Sequence, residues 1–143
     1  MRRYIFIILI AFGISVTAQG QQKFDPERYQ ADLEQFITSE ACLTPQESAR
    51  FFPVYREMMK KQHSLYDELR KYRHFKPASE SGCRDAILLK DQLDIQVKEL
   101  QQQYHQKFLR IISASKLYDV IKAEDKFHRQ SFKRMSEHKK SKK

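Results

Sequence analysis

The chain has 143 residues, with 27 Lys and Arg against 18 Asp and Glu, a formal net charge of +9, 41% hydrophobic residues, ten Phe and no Trp. That length allows one modest domain, and the apolar content excludes wholesale disorder. Two of the three glycines (Gly13 and Gly20) lie near the N-terminus, leaving Gly82 alone in the body. The body therefore excludes a P-loop, a dinucleotide fingerprint, a nucleophile elbow and any series of tight hairpins, which need glycine for positive φ or close backbone approach.

Residues 1–18 read as a secretory signal peptide. Arg2 and Arg3 form its charged start, Tyr4 to Val16 its apolar stretch, and Val16-Thr17-Ala18 its small-residue cleavage site, with a second cut available after Gly20. The apolar stretch is shorter than the roughly 20 residues a membrane-spanning helix needs. Export predicts a periplasmic protein, in a compartment where ATP and nicotinamide cofactors are scarce, chromosomal DNA is absent and disulfides are permitted. The positive charge then points away from nucleic acid, towards acidic or unfolded protein segments and anionic membrane.

Four helices follow, without strand-like alternation. Asp25-Pro26 is an N-cap followed by proline at the first helical position. Helix one carries Tyr29, Leu33, Phe36 and Ile37 on one stripe and ends near Glu40-Ala41-Cys42. Leu43-Thr44-Pro45-Gln46-Glu47 opens helix two as a capping box: Thr44 caps, Pro45 is N1, and Glu47 at N3 reaches back, with Leu43 placed as a hydrophobic staple. Phe51, Tyr55, Met58, Gln62, Leu65, Leu69 and Tyr72 repeat at spacings of four and three, the seam of a packed hairpin or coiled coil. Phe52, Met59 and Tyr66 widen the stripe, and Pro53 predicts a kink.

His74 to Gly82 is the break between long helices. Helix three is expected from about Arg84 to Ile112, with Leu89, Leu93, Val97, Leu100, Tyr104, Phe108 and Ile111 on one face. A short loop between two long amphipathic helices predicts an antiparallel hairpin. Ser113 is the candidate cap of helix four, which carries Leu117, Val120, Ile121, Glu124, Phe127, Phe132 and Met135; helices three and four as one continuous helix is the alternative. Domain limits follow as a helical domain over 19–132 and a basic tail over 133–143. That tail holds Lys133, Arg134, Lys139, Lys140, Lys142 and Lys143 against Glu137 alone. A second basic group, Arg70, Lys71, Arg73, His74 and Lys76, falls at the hairpin tip.

The Leu43-Thr44-Pro45-Gln46-Glu47 start, with a second such start at Ile112-Ser113-Ala114-Ser115-Lys116, resembles the Spy/CpxP family of periplasmic proteins, which has two Leu-Thr-x-x-Gln boxes on a small all-helical fold. Phe52-Pro53-Val54-Tyr55 and the stretch Lys122 to Arg129 resemble the version common in Bacteroidetes. The resemblance covers about 90 of the 143 residues. It departs from the family at two places. Glu47, preceded by Gln46, takes the fifth position of the first box, where acid and amide both complete a cap. Lys116 takes that position in the second box and cannot accept a hydrogen bond from an amide. The resemblance implies a thin, cradle-shaped antiparallel dimer acting as an ATP-independent chaperone, or a stress sensor restraining a signalling partner.

The expected function is therefore non-enzymatic: reversible binding of partly unfolded or acidic protein segments under envelope stress. Phe52, Met58, Met59 and Tyr66 would make adaptable contacts, with Arg70, Lys71 and Arg73 attracting clients; the same apolar residues as dimer core is the competing assignment. The alternative class is a sensor docking on one envelope partner, a sigma-factor-linked system or a sensor kinase, with a metal-responsive role below both. The tail offers weak contact with anionic membrane. No cofactor or metal is expected, since the five histidines show neither His-x-x-x-His nor Cys-x-x-Cys spacing. Cys42 and Cys83 flank helix two, roughly 40 Å apart at 1.5 Å per residue, beyond disulfide reach within a straight chain. Either a fold-back at Pro53 or an antiparallel dimer, pairing Cys42 of one chain with Cys83 of the other, would bring them together.

Overall fold

The computed structural model describes residues 25–73 and 76–140. The expected signal segment 1–18, the loop residue His74 and the last tail residues 141–143 lie outside the described residues. Every regular element described is an α-helix: α1 (Pro26–Glu40), α2 (Pro45–Arg73), α3 (Glu80–Phe108) and α4 (Ala114–Lys140). Among the described residues no helix is long and apolar enough to cross a membrane.

The helix limits follow from local capping. Asp25 accepts hydrogen bonds from the amides of Glu27 and Arg28 at 3.0 and 3.2 Å, opening α1. α1 ends in a Schellman motif: the Leu43 amide reaches Thr38 O at 3.1 Å and the Cys42 amide reaches Ser39 O at 3.4 Å. Cys42 holds the left-handed position of that motif with φ 48°. α2 continues through Pro53, so the missing N–H removes one ladder bond without ending the helix.

α3 begins at Glu80, earlier than the spacing predicts, because Ser79 caps it, its Oγ accepting from the Gly82 amide at 3.1 Å. Gly82 belongs to the first turn of α3 and not to the loop. A Cβ there would lie 2.9 Å from Pro77 Cβ, so the glycine admits the close approach of Pro77. α3 also stops before Ile112. The amides of Ile111 and Ile112 both turn back to Phe108 O, and Ser113 starts a new helix. α3 and α4 are thus two helices.

α2 packs along α3, and α1 packs on α4. One core joins all four. Leu33 and Ile37 of α1, Ala41 and Leu43 of the junction, Phe51, Phe52, Tyr55 and Met58 of α2, Tyr104 and Phe108 of α3, Ile112, and Leu117, Val120, Ala123 and Phe127 of α4 form a single buried cluster. At its centre the rings of Phe51 and Phe108 lie 4.6 Å apart, close enough to add to their burial. Leu43 enters this cluster instead of acting as a staple, since the N4 position it would meet is Ser48.

Burial fades along α2 and α3 away from that cluster. Gln62, Leu93 and Val97 are still buried, but Leu65, Leu69 and Leu89 are only half-buried. There, among the described residues, α2 and α3 pack mainly against each other, and a two-helix contact covers one side of each helix. α4 is graded in the same way: Leu117, Val120 and Phe127 are buried, whereas Phe132 and Met135, expected on the same face, are 73% and 48% exposed.

Candidate functional site

The two boxes lie together in space. In the first, Thr44 Oγ1 accepts from the Glu47 amide at 3.2 Å and Glu47 Oε2 accepts from the Thr44 amide at 2.8 Å, the full reciprocal box. Gln46 is exposed and takes no part in it. In the second, Ser113 Oγ accepts from the Lys116 amide at 3.3 Å. Lys116 returns no acceptor. Its Nζ instead donates to Glu47 Oε2 at 2.5 Å, across from α4 to α2. Ile112, the apolar residue leading the second box, is buried, as is its counterpart Leu43. Lys116 and the Thr44 amide together hold the Glu47 carboxyl below its ordinary range.

Polar side chains that interrupt the apolar stripes bridge helices. Tyr55 donates from Oη to Glu124 at 3.0 Å, joining α2 to α4. Burial and the neighbouring Glu124 charge push the Tyr55 phenol well above its ordinary value. Tyr29 of α1 shares a 2.8 Å hydrogen bond with His128 Nδ1, and His128 Nε2 lies 3.8 Å from Glu124. Tyr104 of α3 donates to Glu57 of α2 at 2.6 Å, while Lys61 and Lys107 stand over its ring at 5.4 and 4.2 Å. The Tyr104 hydroxyl, followed by Lys61, lowers the Glu57 carboxyl to about 2. Glu124 sits on the expected apolar stripe of α4, a visible signal for such a bridge. Glu57, off the stripe of α2, carried none.

Of the residues expected to hold clients, Phe52 and Met58 are corrected. They are 7% and 3% exposed and belong to the chain's own core. Met59 is half-buried against the same cluster, and Tyr66 is 45% exposed. Other large apolar residues are more exposed: among them Ile87, Leu88 and Ile95 on α3 are each at least 57% exposed, Leu88 and Ile95 on the side of the helix away from Leu93 and Val97. These residues lie outside the seven-residue pattern that marks the core, which is why periodicity passed over them.

Two cations of the basic tip are paired. Arg70 pairs with Asp67 at 3.2 Å and Lys71 with Glu68 at 2.6 Å, each within its own helical turn. The Arg73 side chain lies outside the described residues. Cys42 is exposed and Cys83 half-buried, and both are free thiols. Each thiol donates locally, Cys42 to Ser39 O at 3.7 Å and Cys83 to Pro77 O at 3.4 Å. His63 lies 3.5 Å from Asp67. Among the described residues no group of three or more His, Cys, Asp or Glu side chains could hold a metal ion. No family model, curated protein or solved structure matches the chain.

Proposed function

We propose that the chain is a periplasmic, ATP-independent chaperone-like protein of the Spy/CpxP type that binds partly unfolded protein segments. The observation that carries this reading is the exposed apolar set Ile87, Leu88 and Ile95 on α3 with Tyr66 on α2. The three α3 residues lie where, among the described residues, α2 and α3 pack mainly on each other, and apolar groups left in water beyond the needs of a core mark binding surface. In this reading α2 and α3 form an antiparallel hairpin. Support comes from Phe51 meeting Phe108 and from Glu57 meeting Tyr104, higher numbers on α2 pairing with lower ones on α3. Two such hairpins would form the cradle-shaped dimer, placing Cys42 of one protomer near Cys83 of its partner.

The test is suppression of aggregation of unrelated, thermally or chemically unfolded proteins at near-equal molar ratio, without ATP. Suppression is expected for the natural chain and loss of it for Leu88→Ser/Ile95→Ser, whose circular dichroism should be unchanged because both residues are exposed. A chain that suppresses nothing, yet retains one specific envelope protein on a column, would replace this reading with that of a sensor.

A further inference from the structure

We propose that the C-terminal part of α4, residues 129–140, is an interfacial helix that docks on an anionic lipid bilayer. It spans about 18 Å at 1.5 Å per residue, and from Phe132 to Glu137 every side chain is exposed. Two of those side chains are large and apolar: Phe132 is 73% exposed and Met135 48%, one turn apart on one face. Arg129, Lys133 and Lys140, at i, i+4 and i+11, form a row beside that face, and Glu137, the single acid of the segment, lies on the far side of the row from Phe132.

Charge separates this segment from the other basic cluster. At the tip of α2, Arg70 and Lys71 are matched by acids in the same turn. Within the body, Arg56, Lys61, Lys90, Lys116 and Lys126 are likewise paired, whereas Arg50, Arg84 and Arg110 are among those with no ion pair among the described residues; the end of α4 differs in gathering three such cations between residues 129 and 134. Arg129, Lys133 and Arg134 have no acidic partner among the described residues. A helix with unpaired cations flanking an exposed aromatic and a thioether fits the headgroup boundary. There the cations meet lipid phosphates while Phe132 and Met135 enter the acyl edge. An acidic protein would satisfy the cations alike but would need a matching apolar pocket for Phe132 and Met135, whereas an anionic bilayer offers phosphates and an acyl edge side by side over its whole surface. The docking uses α4 and is independent of client binding by α2 and α3.

The absence of Trp makes a clean probe. Phe132→Trp, in the chain from residue 19 onward, gives a single tryptophan that can be excited apart from the tyrosines; all four helices lie within residues 26–140, so the fold is retained. Its emission should shift to the blue with phosphatidylglycerol–phosphatidylcholine vesicles, and not with pure phosphatidylcholine vesicles. In co-sedimentation with the same vesicles, Arg129→Ala and Lys133→Ala should each weaken binding about fivefold. Phe132→Ser/Met135→Ser should weaken it about tenfold, with far-UV circular dichroism unchanged. The proposal is overturned by absence of a shift, by equal binding to both vesicle types, by variants that bind like the natural chain, or by a response confined to an acidic polypeptide such as polyglutamate.

Discussion

Lys116 Nζ and Glu47 Oε2 are 2.5 Å apart, tying the first turn of α4 to the first turn of α2. Lys116 is the residue that fails to complete its own capping box, and Glu47 is the residue that completes the other one. The lost local bond is exchanged for a long-range one. Lys116→Gln separates the two roles, because Gln restores a reciprocal cap on α4 while removing the cross-link. If the cross-link dominates, thermal unfolding shows Lys116→Gln less stable than the natural chain, and Glu47→Gln/Lys116→Gln only slightly worse than either single variant. A rise in Tm for Lys116→Gln would show that the cap matters more.

Phe52 and Met58 should act on stability and not on clients. Met58→Ala removes a side chain that is 3% exposed and should cost about 2–5 kcal/mol. Chemical unfolding would show a lower midpoint, whereas Tyr66→Ser, at a position 45% exposed, should hardly move it. Equal effects would contradict the placement of the core.

Cys42 pays a conformational penalty at φ 48° that glycine escapes. Cys42→Gly should stabilise the chain by about 1 kcal/mol, raising Tm by roughly 4 °C. A differential scanning measurement under reducing conditions checks this, and a fall in Tm would mean that the thiol's contact with Ser39 O outweighs the strain.

Acid should loosen the α2–α3 pair through Glu57. Tyr104 and Lys61 hold its carboxyl at about 2, against an ordinary value of 4.5. Because the folded value is the lower one, this stabilisation is full above pH 4.5 and is lost as pH falls towards 2. Unfolding free energy followed over that window should decline, and Glu57→Gln should flatten the decline relative to the natural chain. An identical slope in both would remove Glu57 from the account.

In the dimer reading, oxidised protein should run as a covalent dimer on a non-reducing gel. Cys42→Ser and Cys83→Ser should each abolish that band. A monomer with two reactive thiols per chain under oxidising conditions would sink the pairing.

The all-helical class, the caps at Asp25, Thr44 and Ser113, and the core stripe of α2 near Phe51 and Tyr55 were all determined by the sequence alone, whereas the break between α3 and α4 was settled by the turn at Ile111 and Ile112. Caps and periodicity depend on residues within four positions of each other, so they can be read along the chain. The start of α3 was less legible, because Ser79 competes with several neighbouring loop residues for the cap. Tertiary structure alone decided where each stripe stops being core. Phe52 and Met58 are covered because all four helices meet at that end. Leu65, Leu69, Phe132 and Met135 continue similar patterns but reach places that fewer helices cover. The partner of Lys116, 69 residues away in Glu47, was equally beyond any local rule, since only the path of the chain brings two helix starts side by side.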